Sequence, residues 1–319
     1  MSNSQNGSAV FLALALTIGA YGGNVVRTAA PAPDAVDINA LWAEPDVEAR
    51  DLFHGPGGPE LVPDASATYA LVKVDESGYS KGYEVRAADG TTWDVKLGPE
   101  VQPEIASSRL LWAIGYHQPP TYFLQEWKLS GGASAVQPPA RFRLEDPGWK
   151  AAGDWSWSEN PFAHTQPFRG LIVANLLLNN WDWKTSNNKV YDVASGTPAQ
   201  LYMVRDLGAS LGRTSSPWFL RMMRLRGGQG TRNDIAGFEA QGFIKSVDGS
   251  DVDFHYKGIY PDIVDRVTAE DVLWTCRLLA RLSDRQWEDA FRATGYPAEH
   301  GQRYIRKLKA KIAEGLALR

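Results

Sequence analysis

The sequence predicts an α+β fold in two parts, a β-rich N-terminal part carrying one helix and a mainly helical C-terminal part. Three observations point there. Short runs of β-branched and aromatic residues, punctuated by turn formers, crowd the stretch from Thr68 to Leu97. Phe168–Asn180 is apolar nearly all round and reads as a helix buried on most sides, and the last fifty or so residues keep helical spacing. With 319 residues and 44% hydrophobic side chains, the chain can bury two domains or one bilobal unit.

Taken in order, Val36–Arg50 reads as a short helix and connection, and Phe53–Pro63 as a loop rich in Gly and Pro. Thr68–Val74, Gly82–Ala87 and Thr91–Leu97 form a three-stranded antiparallel meander, with turns at Asp75–Lys81 and Ala88-Asp89-Gly90. A helix follows from about Pro103 to Tyr116, with proline in its first turn and Ile105, Leu110, Leu111 and Ile114 towards one side. Tyr122–Leu129 resumes as a strand, and Ser130–Pro139 has the composition of a linker. Val190–Val193 and Leu201–Val204 pair around the turn Ala194–Ala199, and the closing helices open at Thr268 with Glu270 and Asp271 in the first turn. The resulting division is 1–34 as leader and linker, 35–135 as the β-rich lobe and 136–319 as the helical lobe.

A net charge of -4 gives no reason to expect nucleic acid as a partner. The basic stretches Arg221–Arg232 and Arg303–Arg319 read as solvated faces. The single cysteine, Cys276, excludes an intrachain disulfide and sits in an apolar helical stretch as an inert buried thiol. The histidines His54, His117, His164, His255 and His300 are not at zinc-ligand spacing. The apolar run Ala9–Ala20 is too short for an ordinary membrane span but suits the hydrophobic region of a signal peptide, with Ala20 and Gly22 near a cleavage point. Export to a periplasm or the exterior is the expectation, and a buried N-terminal helix or strand is the alternative. No second long apolar segment follows, so no stable membrane span is expected.

The most specific segment is Asn179–Asn188 (NNWDWKTSNN), with Val204–Gly208 (VRDLG) after it. Phosphoryl transfer needs a group to orient the attacking hydroxyl, a cation near the transferred group and hard oxygen ligands for Mg²⁺. Asp182 can supply the first, Lys184 the second, and Asn187 with Asp206 the third.

Asp182-x-Lys184-x-x-Asn187 together with Asp206-Leu207-Gly208 resembles the catalytic loop and Asp-Phe-Gly motif of protein kinases. The wider loop is similar to that of the atypical kinases, the HipA-type and related secretory and lipid kinases. The resemblance implies a bilobal protein-kinase-like fold using ATP and Mg²⁺. Within it, Asp182 and Lys184 are catalytic, and Asn187 and Asp206 bind the metal. Lys96 resembles the third-strand lysine that contacts the α- and β-phosphates, with Glu104 as its ion-pair partner and Glu100 as the alternative. Glu76–Gly82 resembles a shortened phosphate-covering loop, with Gly78 and Gly82 allowing close approach and Ser77, Ser80 or Lys81 reaching phosphate oxygens. The likeness covers about Val72–Gly208. The segment after Gly208 matches no activation loop of that family.

The acceptor of the phosphoryl group is left open among a protein, a lipid or sugar head group and a small molecule. Two other readings share the fold: adenylyl transfer, and a non-catalytic exported binding protein. The tryptophans Trp155, Trp157, Trp181 and Trp183 read mainly as packing, with Trp155-Ser156-Trp157 as a half-buried strand and Trp183 as a candidate wall of the site.

Overall fold

The computed structural model describes residues 36–76, 78–131, 135–214, 230–258, 261–264 and 266–318. The expected leader, 1–34, lies outside the described residues, as does most of Arg221–Arg232.

Seven strands make one sheet: β1 (Thr68–Asp75), β2 (Gly82–Arg86), β3 (Thr92–Leu97), β4 (Thr121–Leu124), β5 (Trp127–Ser130), β6 (Val136–Gln137) and β7 (Ala140–Leu144). Their order is β4-β7-β3-β2-β1-β5-β6, and β1 to β3 are the expected antiparallel meander. The parallel pairing of β1 with β5 is the exception among antiparallel neighbours. The expected single strand Tyr122–Leu129 is two strands, β4 and β5, on opposite flanks of the sheet. The stretch Ser130–Pro139 is likewise no simple connection, since it contains β6 and leads into β7 beside β3. The expected lobe boundary at 135/136 therefore falls inside this sheet.

Side chains alternate across the sheet. Tyr69, Tyr83, Val85, Trp93, Val95, Trp127 and Phe142 pack into one apolar layer. Full burial of each large apolar side chain contributes roughly 1.5–3 kcal/mol. The residues between them, Asp94 and Lys96 on β3 and Arg141 and Arg143 on β7, face the other way. Register sets Lys96 opposite Arg141 and Asp94 opposite Arg143.

Helix α1 (Val101–Ala113) follows β3, starting slightly earlier than expected and burying Glu104 along with Ile105, Leu110 and Leu111. Helix α2 (Gln166–Leu177) is capped by Thr165, whose side chain accepts from the Phe168 amide. Its apolar circumference is buried as expected, within the larger core. Strands β8 (Trp149–Gly153), β9 (Asn188–Val193) and β10 (Gln200–Val204) form a second sheet in which β9 and β10 are the expected hairpin. Trp155 and Trp157 are buried, but outside any strand, against Phe168 and Trp183.

The remainder is mainly helical: α3 (Ile235–Ala240), α4 (Pro261–Val264), α5 (Ala269–Ala280), α6 (Asp284–Arg292) and α7 (Ala298–Leu316), with a hairpin of β11 (Ile244–Asp248) and β12 (Asp251–Phe254). Thr268 and Asp271 close a capping box at the start of α5, as the spacing suggested. Cys276 is buried, and burial pushes its thiol up to about 12. No described helix is long and apolar enough to cross a membrane. The order of elements, β-rich part with one helix and then a mainly helical part, is that of the expected α+β fold.

Candidate active site

Lys96 is the centre of the site. Its position on β3, on the face opposite Trp93 and Val95, aims the side chain away from the aromatic layer, and 15% of it remains exposed. Its ammonium lies 2.8 Å from Glu104 Oε2, 3.0 Å from Asp206 Oδ1 and 3.6 Å from Glu100 Oε2. Burial works against the charged ammonium, but the Glu104 and Asp206 carboxylates outweigh it and hold its pKa above the ordinary value. Of the two glutamates considered, Glu104 makes the close pair.

Glu104 is 2% exposed and is held from behind. Its Oε1 lies 3.3 Å from Arg141 Nε and 3.4 Å from Arg143 Nη1. Both arginines also meet Asp94. Burial alone would raise the Asp94 carboxyl, yet Arg141, Arg143 and Arg205 drive it well below the usual carboxylate range. A charge-paired layer thus fixes the carboxylate that fixes Lys96, and a buried carboxylate needs such partners to stay ionised.

Asp206 follows β10. Its Oδ1 also accepts from the Gly208 amide at 3.3 Å. Burial would raise this carboxyl, but Lys96 overrides it and brings the pKa down to about 2. Gly208 is required by space: a Cβ there would stand 2.6 Å from Glu100 Cβ, so the chain can pass under α1 only as glycine.

The other half of the site grows from the end of α2. Asn179 turns left-handed at φ 52°, and the Asn180 amide group donates to Asn175 Oδ1. Asn180 Oδ1 accepts from the Asp182 amide, 3.3 Å. Lys184 Nζ donates to Asp182 Oδ2 at 2.9 Å. Asp182 Oδ1 is buried with no hydrogen-bond partner. Asn187 Nδ2 donates to the Asp182 carbonyl at 2.7 Å, and the Asn187 carbonyl accepts from the backbone amides of Arg205 and Asp206. Two segments that the sequence holds apart are thereby stitched together, with Asp182, Lys184 and Asn187 on one and Asp206 on the other.

The turn before β2 also reaches the cluster, with Gly82 paired opposite Lys96. A Cβ on Gly82 would lie 3.2 Å from the Val95 carbonyl, whereas Gly78 has ordinary room. Ser80, expected to face phosphate oxygens, donates its hydroxyl to Glu100 Oε2 at 2.7 Å. Sequence reasoning missed Arg232, which pairs with Glu100 Oε1, lies 3.8 Å over the Tyr79 ring and 5.1 Å over Trp181. It also missed Asp94, Arg141 and Arg143. The alternation Arg141-Phe142-Arg143 was the available signal, a strand with one charged face. Trp183 does not wall the site: it is buried, stacked on Trp157 at 4.8 Å, with its indole N–H donating to the Asn180 carbonyl.

No family model matches the chain, and no curated protein matches it. Among solved structures, the crystal structure of a Helicobacter pylori proinflammatory kinase, CtkA, is similar to it at 10% sequence identity and a TM-score of 0.38. The match covers 77% of this chain and 98% of that one.

Proposed function

We infer that the chain is an ATP- and Mg²⁺-dependent phosphotransferase acting on a hydroxyl acceptor. The observation that carries this reading is the meeting of Lys96, Glu104 and Asp206, with the Asp182–Asn187 loop hydrogen-bonded to the Asp206 backbone. A lysine held by one carboxylate and poised beside a second is suited to bind phosphate oxygens next to a metal ligand.

The donor set fits Mg²⁺. Asp206 and Asn187 offer a carboxylate and an amide oxygen, both hard ligands, and Mg²⁺ in such sites takes its other ligands from phosphates and water. Among the described residues no group of three or more His, Cys, Asp or Glu gathers to hold a metal by itself. Held by Asp206 and Asn187, the ion would supply neutralisation of charge on the nucleotide phosphates. Lys96, with Gly82 paired opposite it, would hold the nucleotide phosphates. The Asp182 carboxylate orients the acceptor hydroxyl and takes its proton, and Lys184 offsets charge near the transferred group. The unpartnered Asp182 Oδ1 supports this role, because an unsatisfied buried oxygen costs about 1–3 kcal/mol until a donor meets it.

The test is ADP formation from Mg·ATP by the purified chain, with mass spectrometry of the chain and of added acceptors. The reading expects Mg-dependent ADP release, reduced by roughly 10²–10⁴ in Asp182→Ala, and a phosphoryl rather than the far heavier adenylyl increment on any acceptor. Release of AMP or pyrophosphate instead, or ADP formation no faster than in Asp182→Ala, overturns it.

A further inference from the structure

Lys311 is among the most deeply buried charged residues described. It lies on α7, near the end of the described chain, and its residue exposure is 1%. It makes no ion pair among the described residues. Its amine donates to the Leu177 carbonyl at 2.9 Å and to Asn179 Oδ1 at 2.7 Å, with the Phe238 ring 4.4 Å away. Burial pushes its pKa well below the ordinary lysine value, with Lys307 adding to the effect and Glu314 opposing it. Taking an amine out of water without a counter-charge is costly. A surface lysine elsewhere on the helix would serve solubility equally well, so the burial calls for a local reason.

The two acceptors supply that reason. Leu177 is the last residue of α2, where helix carbonyls lack intrahelical partners. Asn179 is the left-handed residue that turns the chain out of α2 towards Asp182. Its side-chain oxygen takes the Lys311 amine, and its side-chain nitrogen donates to the Gly212 carbonyl at 2.7 Å. Gly212 belongs to the segment that continues from Asp206. In the same place the Leu211 amide donates to the Leu178 carbonyl at 2.9 Å, and the Trp181 amide to the Ala209 carbonyl at 3.3 Å. Tyr304, also on α7, donates to the Leu211 carbonyl at 3.2 Å. The last helix therefore grips both backbones, the one leading into Asp182 and the one leading away from Asp206.

We propose that Lys311 is a positioning residue, joined through Asn179 to Gly212, which keeps the Asn179–Asp182 turn and the Ala209–Gly212 segment in one relative placement. Its role in catalysis rests on the phosphotransfer reading above. Its role in holding the two segments does not.

Lys311→Met keeps the length and apolar stem while removing the donors, and Lys309→Met on the same helix, a half-buried lysine that pairs with Asp284 on α6 rather than with either segment, is the control. The readouts are amide hydrogen exchange across 178–182 and 209–212, and the separate kcat and KM for Mg·ATP. The proposal expects exchange at these amides to rise about tenfold or more in Lys311→Met, with kcat down about tenfold to a hundredfold and KM little changed. Lys309→Met behaves as wild type. Asn179→Gly covers the case in which Lys311→Met does not fold: glycine accepts the left-handed backbone, removes the link to both neighbours and is expected to raise the same exchange rates. Wild-type exchange rates in the folded Lys311→Met variant, or in Asn179→Gly, overturn the proposal. A wild-type chain without ADP formation would instead overturn the phosphotransfer reading, and the exchange rates would still decide the positioning role.

Discussion

Lys96 and Asp206 stand 110 positions apart in the chain, yet the lysine ammonium donates to the aspartate Oδ1 at 3.0 Å. The contact ties β3 of the N-terminal sheet to the segment after β10. Glu104 on α1 completes it from the buried side, so the two carboxylates nearest the ammonium come from different parts of the fold. Asp206 keeps 39% side-chain exposure, which leaves the pair open on the face where a ligand would approach.

Replacing Lys96 by Met removes the charge on which Asp206 depends. Breaking a buried pair on one side costs about 3–5 kcal/mol, and the partial exposure of Asp206 places this case at the lower end, about 3 kcal/mol. Urea denaturation at neutral pH is expected to show that loss, together with at least a tenfold weaker affinity for Mg·ATP by calorimetry. Unchanged midpoint and affinity would remove Lys96 from the centre of the site.

The depressed carboxyl of Asp206 has a pH signature in the metal-free protein. Its folded pKa of about 2 lies below the unfolded value near 3.9, so the stabilisation is complete above the unfolded value and is lost as pH falls towards 2. The stability gap between wild type and Asp206→Asn is therefore expected to be widest near neutrality and to close between about pH 4 and pH 2. Carboxyl NMR titration reads the same value directly. A gap that does not change with pH, or a carboxyl titrating at or above its ordinary pKa, contradicts the pairing.

Asp182 and Asp206 are assigned different tasks, and their variants separate them. Asp182→Ala is expected to bind Mg·ATP within about threefold of wild type while turnover falls by roughly 10²–10⁴. Normal turnover in that variant would show that Asp182 is not the group meeting the acceptor.

Arg232 pairs with the Glu100 oxygen that lies away from Lys96. The Glu100 carboxylate is shared by Arg232, Ser80 and, at 3.6 Å, Lys96. In Arg232→Gln the carboxylate is left to compete for the ammonium, and Mg·ATP affinity is expected to fall about fivefold, close to 1 kcal/mol. Affinity equal to wild type would mean that Arg232 serves only to hold the Tyr79 turn.

The site was legible in the sequence where its residues are tied by short spacing to a recognisable setting. Asp182, Lys184 and Asn187 follow directly on an unmistakably apolar helix, Asp206 ends a hairpin strand, and Lys96 lies in a strand followed by a helix with Glu104. The supporting layer was not legible in the same way. Arg141 and Arg143 come just after Ser130–Pro139, whose small and proline residues read as a linker, and only the pairing of β7 with β3 gives them their partners. Arg232 meets Glu100 across 132 positions with no local pattern to mark it. The split of Tyr122–Leu129 into two strands was hidden for a similar reason, because its residues keep strand character while Glu126 turns the chain between opposite flanks of the sheet.

The most direct test of the proposed phosphate and metal site is the melting temperature of wild type and Asp206→Ala with and without saturating Mg·ATP. A ligand at about a hundred times its Kd stabilises the folded state by about 2.7 kcal/mol. The account predicts a rise of several degrees for wild type that requires Mg²⁺, and no rise for Asp206→Ala. An equal rise in both proteins, or none in wild type, contradicts it.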